Sequence, residues 1–155
     1  MTTASLPVEK INTNNSVAPL FTHIDVCSID DLILNSGVCA LVHDTQIAIF
    51  AIPSIANSKE EIRLFACSNF DPIGKANVMY RGLLCSSKND EMEDEAMICS
   101  PLYKQHYSLV SGKCAEDENV SISIYKCYLE NGRVFVSMPS TAPDLIDSTH
   151  KVTKS

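Results

Sequence analysis

Residues 120–129 (VSISIYKCYL) alternate apolar and polar side chains, and Asn131-Gly132 follows before a second apolar run, RVFVSM. A period of two sends successive side chains to opposite faces of a strand and does not fit a helix. Asn-Gly tolerates the left-handed backbone that a two-residue hairpin turn requires. An antiparallel hairpin is therefore expected here, and it is the strongest local signal in the chain. Residues 38–52 (VCALVHDTQIAIFAI) hold two more apolar runs around His43-Asp44-Thr45, a second hairpin pattern. Residues 61–67 (EIRLFAC) alternate Ile62, Leu64 and Ala66 against Arg63 and Phe65. Helical periodicity is weak. Its candidates are a turn in residues 28–34, where Ser28 serves as cap, and a short segment around residues 76–79.

A length of 155 residues suits one domain, and 45% hydrophobic residues suffice for a core. Residues 1–20, rich in Thr, Asn and Ser, are expected as a flexible leader, and residues 139–155 as a flexible tail. The folded β domain is then 21–138. Within it, residues 86–97 (SSKNDEMEDEAM) concentrate acids that repel one another, which predicts a solvated loop joining two strands.

Twelve basic and 19 acidic residues give a net charge of −7, and no Lys/Arg cluster interrupts it. That balance excludes a nucleic-acid binder and disfavours anionic membranes, leaving a protein or small-molecule partner. None of the seven cysteines falls in a CxxC pair, and most sit in apolar runs such as VCALV, LFACS and YKCYL. Mostly buried, reduced thiols are expected, in a reducing compartment. With no secretory h-region and no apolar run of about 18 residues, the cytoplasm is the expected location.

Two segments carry the functional reading: Asn69-Phe70-Asp71-Pro72-Ile73-Gly74-Lys75-Ala76, and SPLYKQHYSLVSGKC from Ser100 to Cys114. Together they resemble the two cluster-binding loops of Rieske-type domains. More closely they resemble the small subunit of assimilatory NAD(P)H-dependent nitrite reductase, over roughly residues 25–136. The resemblance implies a Rieske-like all-β fold of stacked small antiparallel sheets, with two former cluster-binding loops. It implies an accessory subunit that docks on a large subunit carrying sirohaem, an iron–sulfur cluster and FAD, which reduces nitrite to ammonia with NAD(P)H. A working Rieske site needs Cys-x-His on one loop and Cys-x-x-His on the other. Asp71 and Ile73 stand at the first pair of positions here, and Ser100 and Tyr103 at the second. All four ligands are missing, so neither a metal nor a cofactor is expected on this chain. Neither Cys67 nor Cys99 has a His two or three residues later, so shifted ligands do not replace them. Tyr103 is expected to fill the vacated space and hydrogen-bond to Asp71.

No G-x-S-x-G elbow, GxGxxG or P-loop is present, and no Cys–His pair is singled out, so the chain alone is not expected to be catalytic. Tyr103, Lys104, Gln105 and His106, at the tip of the second loop, are the candidate partner contacts. Two other readings stay open: a Rieske-type ferredoxin electron carrier, and a stand-alone β interaction module.

Overall fold

A computed structural model of the chain describes residues 20–54 and 61–140. The expected leader and tail lie, but for residues 20, 139 and 140, outside the described residues. Residues Thr22–Met138 form one compact unit.

The described regular structure is strand, apart from 3₁₀ turns at Ile29–Asp31 and Met79–Arg81. In chain order the strands are β1 (Phe21–Ser28), β2 (Gly37–Val42), β3 (Thr45–Pro53), β4 (Ile62–Ser68), β5 (Phe70–Asp71) and β6 (Ala76–Asn77). They continue as β7 (Leu83–Lys88), β8 (Asp94–Cys99), β9 (His106–Ser108), β10 (Ile124–Glu130) and β11 (Arg133–Pro139). Three sheets result: six strands ordered β1-β11-β10-β4-β3-β2, the pair β5-β6, and the trio β7-β8-β9. The expectation of an all-β fold built from small sheets is met.

Both predicted hairpins form. Glu130 pairs with Arg133 across Asn131-Gly132, whose φ values are 50° and 74°. Val42 pairs with Thr45 across His43-Asp44, with His43 at φ 51°. Ser28 caps the first 3₁₀ turn: its hydroxyl accepts from the Asp30 N–H, while the Ser28 N–H donates to Asp31.

The run Ile47-Ala48-Ile49-Phe50 is buried throughout because β3 is covered on both faces. Ala48 and Phe50 face one core with Cys67, Ile98, Tyr107 and Leu109. Ile47 and Ile49 face the other, with Ala66, Val134 and Val136. The first core joins the six-stranded sheet to the β7-β8-β9 lobe and is the floor on which both loops of interest stand.

Several expectations are corrected. The helical segment expected around residues 76–79 is strand at Ala76–Asn77, and the only helical turn there is the 3₁₀ turn Met79–Arg81. Asn69 takes up the backbone there, since Val78 and Met79 both donate to its carbonyl and Tyr80 donates to its side-chain oxygen. The acidic segment is less a loop than a hairpin: Lys88 pairs with Asp94, and Asn89 caps the turn by accepting from Glu91 and Glu93. The Lys88 ammonium meets the Asp94 carboxylate at 2.8 Å, offsetting part of the repulsion. Residues 120–123 alternate but pair only through an isolated Lys113–Ser121 bridge, so β10 begins at Ile124. All seven cysteines are free thiols, yet only Cys67, Cys99 and Cys114 are buried. Cys39 and Cys85 are exposed because they lie on β2, which edges its sheet, and on β7, which edges the three-stranded sheet. Burial pushes the thiols of Cys67 and Cys127 up to about 12, so they stay protonated.

Candidate functional site

Asp71 ends β5 and is fully buried. Its Oδ1 accepts from the N–H groups of Ile73 (2.9 Å) and Gly74 (3.0 Å), and its carbonyl accepts from Lys75 (2.8 Å). Pro72 favours this turn because its fixed φ suits the position after the capping carboxylate. Gly74 is required by close approach. A Cβ there would lie 2.5 Å from a Leu102 methyl and 2.9 Å from Asp71 Oδ2.

Ser100 follows β8 and is also fully buried. Its N–H donates to the Gln105 carbonyl (2.8 Å), closing the second loop, and its hydroxyl oxygen accepts from Leu102 N–H (3.2 Å). The same hydroxyl donates to Asp71 Oδ2 and joins the loops. Tyr107, on β9 opposite Ile98, donates its phenol to Asp71 Oδ1 at 3.4 Å. Burial by itself pushes the Asp71 carboxyl up. The hydrogen bonds from Ser100, Gly74, Ile73 and Tyr107 outweigh it and hold the group below its ordinary value. Burial, together with the neighbouring Asp71 charge, pushes the Tyr107 phenol well up, so it remains a donor.

The structure thus brings Asp71 and Ser100 together and leaves their two companions apart. Ile73 is half-buried and has no donor atom, and Tyr103 is 65% exposed. The expected Tyr103–Asp71 bond is not made. Tyr103 lies in the turn after Pro101, whereas Tyr107 lies on a strand whose inward face already points at Asp71.

At the loop tip Lys104 is exposed, its ammonium 3.0 Å from the Pro101 carbonyl. The side-chain oxygen of Gln105 is buried without a partner. His106 is engaged by Glu116, which accepts from its backbone N–H at 2.8 Å and meets its Nδ1 at 2.5 Å. Burial raises the Glu116 carboxyl, but these bonds from His106 prevail and hold it below its ordinary value. Tyr107 and Glu116 escaped the sequence reading. Tyr107 could have been found from the alternation of His106-Tyr107-Ser108, which turns the tyrosine inward.

The donor set does not fit a [2Fe–2S] cluster. The Asp71 carboxylate is taken up by four donors and the Ser100 hydroxyl by its own pair of bonds. Ile73 offers no donor atom, and iron–sulfur irons call for thiolate and imidazole. Among the described residues, no three His, Cys, Asp or Glu side chains converge as a metal site. No helix among them is long and apolar enough to cross a membrane.

The Rieske-like [2Fe-2S] domain family matches residues 22–137. The nitrite reductase (NADH) small subunit of Escherichia coli K12 is 38% identical over 110 residues, 71% of this chain and 92% of that protein. The solution structure of the E. coli protein NirD superposes with a TM-score of 0.63 at 35% identity, over 78% of this chain and all of that one. The nitrite reductase [NAD(P)H] large subunit of Klebsiella oxytoca contains a similar segment. It is 29% identical over 111 residues, 72% of this chain and 10% of that much longer protein.

Proposed function

Because the chain belongs to the Rieske-like [2Fe-2S] domain family, and within it to the NADH nitrite reductase small subunits, we propose that it is the accessory small subunit of a cytoplasmic NAD(P)H-dependent nitrite reductase. The observation that carries this reading is the 38% identity across 92% of a named small subunit. The partner is the large subunit. A large-subunit polypeptide that bears a segment like this chain within its own length supports that pairing, since two modules joined in one chain are held at high effective concentration.

Sirohaem, FAD, NAD(P)H and the iron–sulfur cluster belong to the large subunit in this reading, and the small subunit contributes no catalytic group. Its two loops are braced by hydrogen bonds between their own residues, as the Asp71–Ser100 link supports. Braced loops on a rigid sheet make a recognition surface that loses little entropy on docking. An electron carrier of the ferredoxin type would need the thiolate and imidazole ligands that Asp71, Ile73, Ser100 and Tyr103 do not supply.

The test is affinity capture of the tagged full chain from its own cells grown on nitrate as nitrogen source. Mass spectrometry should identify a nitrite reductase large subunit in near-stoichiometric amount. Capture without that subunit, under conditions where both are expressed, overturns the reading.

A further inference from the structure

The two loops repeat one design. Each begins with a buried oxygen-bearing side chain, continues with a proline and an apolar residue, and reaches a lysine at the fifth place: Asp71-Pro72-Ile73-Gly74-Lys75 and Ser100-Pro101-Leu102-Tyr103-Lys104. In each, the first side chain accepts from the backbone N–H two residues on, Ile73 in one loop and Leu102 in the other. Both lysines adopt left-handed backbone, φ 54° for Lys75 and 65° for Lys104. That conformation disfavours a long side chain, and glycine or asparagine would adopt it at lower cost. Strain of this kind persists where the surroundings impose it and function uses it.

The same two loops expose apolar side chains. Leu102 is 45% exposed, Tyr103 65% and Phe70 42%, and Leu102 lies against Gly74, the residue before Lys75. The sole acid in either loop, Asp71, is buried with its carboxylate fully engaged. His106 adds no free cation, because Glu116 lies against it. A chain of net charge −7 therefore presents two adjoining loops that expose apolar side chains and two lysines.

We propose that this pair of loops is the docking surface, and that it fits a partner face carrying carboxylates around an apolar seat for Leu102 and Tyr103. The assignment rests on the accessory-subunit reading and names the chemistry of the large-subunit surface that would receive it. Two lysines on an acidic chain are too few for nucleic acid, whose binding draws on many phosphate contacts. They suit a protein interface, where rim charges steer encounter and set register while an exposed aromatic supplies the anchor.

The experiment measures binding of the full chain to the purified large subunit at low and at physiological salt. Wild-type affinity should fall as salt rises. The double variant K75E/K104E should bind at least about tenfold more weakly, chiefly through a slower on-rate. Lys75→Asn with Lys104→Asn, which keeps residues tolerant of the left-handed backbone, should weaken binding less and flatten the salt dependence. Tyr103→Ala should raise the off-rate by about tenfold or more. Glu91→Lys, on the acidic hairpin, should leave affinity within about twofold. If wild type binds and both lysine variants bind equally well, or if only Glu91→Lys loses binding, the loop assignment is overturned. If wild-type chain itself does not bind, the accessory-subunit reading fails instead.

Discussion

Asp71 and Ser100 lie 29 residues apart in the chain, are both sealed from solvent, and are joined by a hydrogen bond from the serine hydroxyl to the carboxylate. This contact ties the two loops to each other through protein atoms alone. It is charge-assisted, and its acceptor is further satisfied by two backbone N–H groups and a phenol.

Removing the link should cost stability cooperatively. Ser100→Ala should lower the unfolding free energy by about 1.5–3 kcal/mol, the range for a hydrogen bond to a charged group. Asp71→Ala should cost more, about 3–5 kcal/mol, because it strands several buried donors at once. In urea titrations the double variant should lose less than the sum of the singles, with a coupling of about 1–3 kcal/mol. Additive losses would mean the two side chains do not work together.

The two tyrosines should separate cleanly. Tyr103→Phe removes a hydroxyl from a largely exposed ring and should change stability by no more than about 0.5 kcal/mol. Tyr107→Phe deletes a buried donor to Asp71 and should cost about 1 kcal/mol. Thermal melts of both variants decide the matter.

How much of this was legible beforehand depended on how local the cause was. The turn at Asn131-Gly132 was readable because a dipeptide and its flanking alternation determine it, and the turn in His43-Asp44-Thr45 because polar residues interrupt two apolar runs, although Thr45 itself pairs with Val42. The two loops stood out because Asp71, Ile73, Ser100 and Tyr103 sit at the spacing of the Rieske motifs, and the structure joins two of the four, Asp71 and Ser100. Asp71's phenolic partner was not picked out. Tyr103 and Tyr107 sit four apart, and only the strand assignment of β9 turns the second one inward. The acidic segment was read as too long a loop, because like charges mark no strand ends, while Asn89's caps and the Lys88–Asp94 pair confine the connection between β7 and β8 to residues 89–93. The alternation in residues 120–123 promised a strand, but that segment takes part only in the isolated Lys113–Ser121 bridge and loop bonds.

Acid should find the same contact. The Asp71 carboxyl is held below its ordinary 3.8 in the fold, so the unfolded chain binds that proton at a higher pH. Its contribution is whole above the ordinary value and is lost as pH falls through the folded one. Between about pH 5 and pH 3 the urea midpoint should decline, and Ser100→Ala, which weakens the pull on the carboxyl, should decline less steeply over that window. Identical slopes would contradict the assignment.

Two glycines at positive φ should respond unequally to alanine. At Gly112 (φ 79°) a Cβ would meet the Ile122 carbonyl oxygen at 2.1 Å, beside the segment that carries Tyr107. Gly112→Ala should cost about 3 kcal/mol or more. At Gly132 (φ 74°) a Cβ would meet nothing within 4 Å, so Gly132→Ala should cost only the backbone strain, about 1 kcal/mol. Chemical denaturation of the pair measures the difference.

Iron and acid-labile sulfide, quantified in the full chain purified without oxygen, test the account most directly. Loops tied by Asp71 and Ser100 in place of metal predict a colourless protein with no stoichiometric iron. Two irons and two sulfides per chain, the content of a [2Fe-2S] domain, would contradict it.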